Sequence, residues 1–481
     1  MSIANQYKNP AAQADGSGIA LVSLAFAMLL PSLGISIVNV ALPTLANSFA
    51  VSTASVNWVV IAYLLALVTF VMGAAVLGDI AGRKLLLLCG IGIFACASMM
   101  CAVSLDLWML VFARLIQGLG ATFILAQTLA LATSVLPKTQ TGSAIGLISS
   151  TAAMGTALGP VAGGVLLDFF GWQAMFWLLL LLAGLSFMLC ARFIPRDSSQ
   201  SAKSLKHFDI SGTLLLALSA LFYAMSVTDN SQAVQLSGST LLLLSVTLLM
   251  LFLQSQRKRQ YPLINLLFFR QQFRNVTLAA GFVVDAIAMS TLVIGPFYLT
   301  YALGLSPLEV GMLLSVGPLA SACSGYPAGK LVDLLGVKNV MYAGLVLMTA
   351  GVLCFAYLPV LFGVQGYIAA LVVMTPGRQF FLTSNNTYVM KSVGESEKGL
   401  ASGILNLTKN LGLITGAALI PGVFNALLQN TKMVDATPQQ LGFALSTTFC
   451  LSAVLLGLML LSIYLLNRRH HRLSSATHAD N

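Results

Sequence analysis

Long apolar runs separated by short polar breaks dominate the chain. Several runs approach or exceed the roughly 20 residues that cross a hydrocarbon core as a helix. They are continuous, rich in Leu and Ala, and lack the alternation typical of barrel strands. Since only helices and closed barrels satisfy their own backbone in lipid, the pattern predicts membrane-spanning helices. We place fourteen spans at 19–41, 53–77, 85–104, 107–135, 143–167, 172–194, 210–227, 239–255, 276–301, 308–329, 340–359, 364–390, 399–421 and 439–466.

Composition supports a membrane protein, because 58% of the 481 residues are hydrophobic and only 8% are charged. A soluble domain carries about 25% charged residues. The formal net charge of +10 would suit a nucleic-acid partner. The basic residues lie mainly in the polar breaks beside the spans, however, so we expect a lipid bilayer and no nucleic acid. The seven cysteines all fall in apolar runs without paired metal-ligand spacing, which predicts packing and no metal site.

The positions of Lys and Arg orient the chain, since these residues stay cytoplasmic near helix ends. With the N-terminus inside, Lys432 falls outside, and Arg114, Arg378 and Lys409 fall within spans. Every other Lys and Arg falls on the cytoplasmic side. We therefore predict a multi-pass protein of the cell (inner) membrane with cytoplasmic tails at 1–18 and 467–481.

Two short turns suggest an internal duplication. The turn at 77–84 reads LGDIAGRK and the turn at 331–338 reads LVDLLGVK, with Leu, Asp, Gly and Lys at matching positions. This match predicts two six-helix halves, 19–194 and 276–466. The linker 195–275 would carry two inserted helices. Repeated halves of this kind place the substrate at their interface near the midplane.

Several motifs resemble those of the major facilitator superfamily, specifically its fourteen-helix drug:proton antiporter branch. Helix 5 reads GLISSTAAMGTALGPVAGG from Gly146 to Gly164, which is similar to the branch's antiporter motif at every fixed position. Weaker matches are RLIQGLGA at 114–121, the turn at 79–84, VNVALP at 38–43 and WVVIAYLLA at 58–66. The resemblance implies an all-α major facilitator fold of two six-helix halves plus two inserted helices. It also implies a proton-driven exporter.

Three positions depart from the pattern of that branch. Gly34 stands where the first helix usually has an acidic residue, which weakens the expectation of a cationic drug. Ala75 and Ile80 replace the Gly and the basic residue of the loop motif. The Asp and the basic pair of that loop remain.

The resemblance implies two moving parts. The loop residues would latch the cytoplasmic side, although a solvated turn that fixes topology is the alternative. The helix 5 glycines, at four-residue spacing, would form a close and bendable contact, because small residues let helices approach and proline removes a hydrogen bond. The alternative is an ordinary glycine-rich packing face. The gate residues are Asp79, Gly82, Arg83, Lys84, Asp333 and Lys338, and the antiporter-motif residues are Gly146, Gly155, Gly159, Pro160, Gly163 and Gly164.

Four charged residues lie inside spans: Arg114, Asp285, Arg378 and Lys409. Each is unfavourable at the bilayer centre by about 2.5–3.5 kcal/mol, so they must face water or one another. We expect Asp285 to carry the proton, with a static pair to Lys409 or Arg378 as the alternative. The resemblance implies that Arg114 takes part in proton transfer. A structural role, in which it bonds to backbone carbonyls, is the alternative.

The predicted cavity holds three positive groups against one negative group, which favours an anionic or zwitterionic solute over a lipophilic cation. Polar and aromatic side chains would complete it. Besides Arg378 and Lys409, we assign to the cavity Asn39, Tyr63, Gln117, Phe123, Gln127, Asn385, Asn386, Asn406 and Asn410.

Taken together, these features predict a secondary exporter that exchanges protons for a small amphipathic drug or metabolite. The alternative is an exporter specialised for an anionic or zwitterionic metabolite, such as a carboxylate or a siderophore-like molecule. A membrane enzyme is disfavoured because no clustered His, paired carboxylates or nucleophile–base arrangement is present. A sensor would need an output domain. We expect no cofactor beyond the proton gradient, and a monomer.

Overall fold

The computed structural model describes residues 10–135, 141–195, 209–227, 237–259, 266–394, 398–428 and 433–479, and these ranges are helical apart from short turns. Short 3-10 helices lie at Ile37–Ala41 and Leu266–Arg270. The α-helices are α1 (Pro10–Ser36), α2 (Leu42–Ser48), α3 (Thr53–Val56), α4 (Trp58–Ala81), α5 (Arg83–Ala102), α6 (Leu107–Val135), α7 (Thr141–Phe170), α8 (Gln173–Phe193), α9 (Ile210–Val227), α10 (Gly238–Lys258), α11 (Gln272–Tyr301), α12 (Pro307–Leu335), α13 (Val337–Lys391), α14 (Lys398–Leu427) and α15 (Pro438–Ala479).

The helices form a bundle whose length and apolar surface suit a lipid bilayer. Within the described ranges, twelve helical segments are long and apolar enough to cross a membrane. The apolar part of α9 is shorter. Large side chains such as Leu243 and Met250 on α10 are more than half exposed, as expected for a surface that faces lipid.

Helix α13 is a hairpin of two antiparallel arms. Its 55 residues would extend about 80 Å as one helix, far beyond the hydrocarbon thickness. Gly363 breaks it with a non-helical φ of 54° and ψ of −127°. The arms then pack closely, since a Cβ on Gly351 would lie 2.3 Å from Met374 Cα and one on Gly344 would lie 2.5 Å from Phe381 N. This reversal falls between the predicted spans 340–359 and 364–390.

The two similar turns adopt the same backbone. Gly82 joins α4 to α5 with a φ of 97°, and Gly336 joins α12 to α13 with a φ of 82°. Only glycine adopts this conformation readily. We call the end of the bundle that holds these turns the basic end, and the opposite one the far end.

The lysines that follow the two turns also make similar bonds. Lys84 Nζ donates to the carbonyls of Ala191 (2.9 Å) and Ile194 (2.5 Å) at the end of α8. Lys338 Nζ donates to Asn467 Oδ1 (2.7 Å) on α15. Each lysine therefore ties its turn to the last helix of its own half, where α1–α8 is the N-terminal half and α11–α15 is the C-terminal half.

The halves touch through α7 and α12 and through polar bonds at the far end. A Cβ on Gly311 of α12 would lie 2.2 Å from the carbonyl oxygen of Pro160 on α7. At the far end, Asn425 Nδ2 donates to Thr53 Oγ1 (3.1 Å). Tyr301 donates to Asn47 Oδ1 (3.3 Å).

The inserted hairpin, α9 and α10, packs beside both halves. Helix α9 contacts α4 and α14, and Tyr223 hydroxyl lies 2.8 Å from Thr415 Oγ1 on α14. At the basic end, buried Asp209 receives Gly212 N–H (2.8 Å) and Gln256 Nε2 (2.7 Å) and lies 3.3 Å from Arg259 Nη2. These bonds join the two helix ends.

Candidate functional site

The C-terminal half brings three of the four predicted intramembrane charges together. Asp285 lies midway along α11, with only 2% of its side chain exposed. Arg378, on the second arm of α13, approaches Asp285 Oδ1 with Nη2 at 2.5 Å. Charge-assisted hydrogen bonds of this kind are short and strong. Lys409 on α14 completes the group.

Glycines on α14 allow this approach. A Cβ on Gly412 would lie 2.6 Å from the carbonyl oxygen of Phe282, and one on Gly416 would lie 2.0 Å from that of Ala286. Without side chains at these positions, α14 can pack directly on the backbone of α11. Lys409 precedes Gly412 by about one turn and is therefore carried toward Asp285.

A cavity of about 320 Å³ adjoins the charges and lies toward the basic end of the C-terminal half. Its volume is at the lower end of the range for small-molecule sites. Both polar and apolar side chains line it. The cavity is lined by Leu278, Gly281, Asp285, Leu382, Asn385, Asn386, Met390, Ser402, Leu405, Asn406, Thr408 and Lys409.

The cavity is polarised. Asp285 and Asn385 offer acceptors on one side, and the Asn385 Oδ1 is buried without a hydrogen-bond partner. The side chain of Lys409 is exposed to the cavity and makes no hydrogen bond or ion pair within the described residues. With Asp285 ionised and paired to Arg378, the site retains one uncompensated positive charge.

Arg114 lies apart from this cluster, in a sealed network of the N-terminal half. Its guanidinium is fully buried and sits 4.3 Å from the centre of the Tyr63 ring. Nε donates to the carbonyl of Val59 (3.0 Å) and Nη1 to Gln117 Oε1 (2.5 Å). Gln117 in turn donates to Ser98 Oγ (2.7 Å). Arg114 is thus held by backbone, amide and aromatic groups.

The other predicted cavity residues of the N-terminal half bond locally. Tyr63 donates to the carbonyl of Pro31 (3.1 Å) and Gln127 to that of Ala74 (2.7 Å). Asn39 is buried and makes a long bond to the carbonyl of Ile35. Half-buried Phe123 packs against Gly90 on α5. In the C-terminal half, Asn385, Asn386 and Asn406 line the cavity, and Asn410 is buried on the next position of α14 after Lys409.

The antiporter-motif glycines face two partners. Gly155 and Gly163 pack on α1 and the 3-10 helix that follows it, and Gly159 packs on Ser36. Pro160 and Gly164 face α12 across the boundary between halves. The antiporter motif of the fifth predicted span lies on α7 of the structure. It makes contacts within the N-terminal half and also the contact between the halves. The surroundings of Gly146 lie outside the described residues.

The predicted gate residues occupy the basic end. Arg83 Nη1 donates to the carbonyl of Ala130 (3.4 Å), and Lys84 and Lys338 make the bonds given above. Asp333 is exposed on the last turn of α12. The side chain of Asp79 lies outside the described residues, so its pairing stays a prediction.

Sequence reasoning missed the bonds at the far end and the glycines of α14. Gly412 and Gly416 have the same four-residue spacing as the antiporter-motif glycines on α7. This spacing could have indicated a close helix contact. Thr53, Asn425, Asn47 and Tyr301 carry no such signal, because their pairing joins residues hundreds of positions apart. They border a second cavity of about 780 Å³ between the halves.

The family is decided by comparison with known proteins. The model of the major facilitator superfamily matches residues 24–417 and 276–479. The chain belongs to the major facilitator superfamily. Its fold agrees, because the nucleoside transporter NupG superposes with a TM-score of 0.65 over 92% of this chain and 99% of that one, at 14% identity.

Several bacterial transporters of this superfamily are similar in sequence. The riboflavin transporter RibZ of Clostridioides difficile is 28% identical over 80% of this chain and 83% of its own. The multidrug resistance protein Stp of Mycobacterium tuberculosis is 29% identical, covering 78% and 70% respectively. The multidrug efflux pump LfrA of Mycolicibacterium smegmatis is 26% identical, covering 89% and 85%. The protein is therefore a multi-pass membrane transporter of small molecules.

Proposed function

We propose that the protein is a proton-coupled exporter that moves a small amphipathic compound out of the cell in exchange for protons. The observation that carries this proposal is the Asp285–Arg378 ion pair beside a cavity. A carboxylate in lipid is tolerated when it is paired or wet, and such groups mark proton pathways in transporters. The named efflux pumps among the relatives support export.

We infer a fourteen-span topology of the drug:proton antiporter branch. The two arms of α13 count as separate spans, and α9 crosses as the shorter member of the inserted hairpin. The basic end is then cytoplasmic by the distribution of Lys and Arg. In this topology the cavity beside Asp285 lies toward the cytoplasm and the larger cavity between the halves lies at the far end, so alternating access would open them to opposite sides of the membrane.

In this mechanism Asp285 alternates between pairing with Arg378 and holding a proton. Rocking of the halves changes the water exposure of the pair, and protonation releases Arg378. Arg114 supports the mechanism by fixing α4 to α6, although the resemblance also implies a part in proton transfer. The basic pair Arg83 and Lys84 would latch the cytoplasmic side when the halves rock closed.

The cavity walls suit an amphipathic compound. Leu278, Leu382, Leu405 and Met390 provide apolar surface beside the charged groups. A second candidate function, export of an anionic or zwitterionic metabolite, is favoured by the unpaired ammonium of Lys409. A lipophilic cation would compete with Arg378 for Asp285 and would leave the ammonium of Lys409 without a partner.

Transport into inside-out vesicles under an imposed pH gradient tests the proposal. We expect uptake of a cationic dye or of an aromatic amino acid to follow the gradient and to stop when a protonophore removes it. Empty vesicles without the protein provide the control for leak. Equal uptake with and without the gradient would show that transport is not driven by protons.

A further inference from the structure

We propose that the transported compound carries both a positive and a negative group, with the positive group placed at Asp285 and Asn385 and the negative group at Lys409. The inference rests on the proposed proton antiport and specifies the substrate class of the same cavity. It follows from which polar groups of the cavity are already satisfied and which are not.

The acceptor side of the cavity lacks a donor. Asn385 is 2% exposed, and its Oδ1 has no hydrogen-bond partner. Its Nδ2 lies 3.1 Å from the position of a Cβ on Gly281, so Asn385 packs on α11 about one turn from Asp285. A buried acceptor without a donor is unfavourable, and a substrate ammonium between Asn385 and Asp285 would satisfy it.

The donor side lacks an acceptor. Arg378 donates a hydrogen bond from Nη2 to Asp285. The ammonium of Lys409 has three N–H donors but no acceptor in the described part of the chain. Asn406, one turn earlier, bonds its Nδ2 to the carbonyl of Ser402. A substrate carboxylate at Lys409 would compensate a charge that is otherwise unfavourable at membrane depth.

The sign of coupling then selects the substrate class. The charged groups that face Asp285 from the packed helices are Arg378 on α13 and Lys409 on α14. A purely anionic solute binds better when Asp285 is protonated, because protonation removes a like charge and frees Arg378. Proton and anion would then move together. A positive group beside Asp285 instead competes with the proton, as antiport requires.

A solute with one group of each sign fits both demands. Its positive group displaces the proton from Asp285, and its negative group neutralises Lys409. A purely cationic solute would compete with the proton but would leave Lys409 without a partner.

Matched triads of probes test the inference in purified protein. The phenyl triad is phenylalanine, phenethylamine and 3-phenylpropanoate, and the indole triad is tryptophan, tryptamine and indole-3-propanoate. Affinity is measured by thermal shift between pH 6 and pH 8. In at least one triad, we expect the zwitterion to bind at least tenfold more tightly than both relatives, and more tightly at the higher pH.

Variants separate the two ends of the site. Lys409→Gln should reduce the affinity of the zwitterion to that of the matched amine, whereas Lys409→Arg should retain it. Asn385→Leu should weaken the zwitterion and the amine together. Lys330→Gln, which removes an exposed lysine at the basic end, should leave all affinities unchanged and controls for the loss of a charge.

The inference is overturned if no zwitterion exceeds its relatives, if the anion binds best and more tightly at low pH, or if Lys409→Gln leaves the ranking unchanged. The proposed function fails separately, when no probe of any charge moves in response to a pH gradient. If the pH gradient drives transport of amines and Lys409→Gln transports them as well as the parent protein does, the zwitterionic substrate class is rejected and the proton-coupled exporter is retained.

Discussion

Each half of the bundle places an arginine within a predicted span, but the surroundings of the two arginines differ. In the N-terminal half, Arg114 is fully buried and meets Val59, Gln117 and the Tyr63 ring. In the C-terminal half, Arg378 is 21% exposed and meets the carboxylate of Asp285 beside a cavity. The first arrangement joins α4 to α6, whereas the second leaves a charge that can gain or lose its partner.

The difference indicates a division of labour between similar folds. Arg114 donates Nε and Nη1 to carbonyl and amide oxygens, whereas its Nη2 has no hydrogen-bond partner in the described part of the chain. With no carboxylate among these partners, we expect Arg114 to act mainly as a structural support. A carboxylate that shares a site with two cations next to a cavity can exchange a proton or a ligand. Two halves with a similar fold can therefore surround a membrane-embedded arginine with different chemical groups.

The largest effect is expected from Asp285→Asn. The amide cannot ionise, so gradient-driven transport should fall to the rate of empty vesicles while expression and folding persist. Arg378→Gln should also abolish coupling, because the carboxylate then loses its cation. The measurement is uptake under a pH gradient against counterflow without one. Full gradient-driven transport by Asp285→Asn would remove the C-terminal half from the coupling mechanism.

Arg114→Met should act on stability instead of coupling. It removes the donors to Val59 and Gln117, and each unsatisfied buried group is unfavourable by about 1–3 kcal/mol. We expect a lower melting temperature in detergent and less folded protein, with partial recovery in Arg114→Lys. A variant that folds normally and transports without proton coupling would show that both halves share the coupling role.

Gly311→Ala tests the contact between the halves. The new Cβ would lie 2.2 Å from the Pro160 carbonyl oxygen, so the packed α7–α12 contact should weaken by about 1–3 kcal/mol. Disulfide trapping of a Thr53→Cys, Asn425→Cys pair at the far end should fall accordingly. Gly329→Ala is the matched control on the same helix, because no atom lies within 4 Å of its added Cβ. Equal trapping in both variants would contradict the contact.

The smallest effect is expected at Asp209, which gives a reference for charges outside the membrane. Burial alone would raise the pKa of Asp209, but bonds from Gly212, Gln256 and Ser211 and the Arg259 charge hold it below the usual range. A depressed pKa stabilises the folded hairpin above the unfolded pKa of about 3.9, and the gain is lost as pH falls through the lower folded value.

Hydrogen exchange at the first turn of α9 checks this pH dependence. Exchange should accelerate below about pH 4 in the parent protein. Asp209→Asn should exchange quickly at all pH values, since its side chain no longer carries the charge. A parent protein without an acid-dependent step would show that the bonds to Asp209 do not stabilise the hairpin.

Several outcomes bear on how far prediction from sequence can go. The twelve long apolar segments of the described ranges followed from apolar runs, because lipid imposes the same length requirement wherever a helix crosses. The α13 reversal at Gly363 falls in the short gap 360–363 between two predicted spans, directly after Pro359. The glycine turns were visible as a repeat, since a positive φ restricts which residues fit.

The partner of each intramembrane charge was not visible from sequence. Asp285 had two open alternatives, and the structure pairs it with Arg378 at 2.5 Å while Lys409 faces the cavity. Which lysine or arginine reaches a carboxylate depends on helix rotation and on the close α11–α14 approach at Gly412 and Gly416. The sequence predicts that Arg114 and Asp285 share a role in proton transfer. In the structure the contacts of Arg114 lie within the N-terminal half, whereas Asp285 lies in the C-terminal half.

The sequence by itself determined that the chain forms membrane-spanning helices. It also determined which ionisable residues lie within those helices. It could do so because hydrocarbon excludes unpaired polar groups at every position along a span. Tertiary structure alone decided which of those groups share a cavity and which are sealed. That choice depends on angstrom-scale packing between helices far apart in the chain, and no local pattern encodes it.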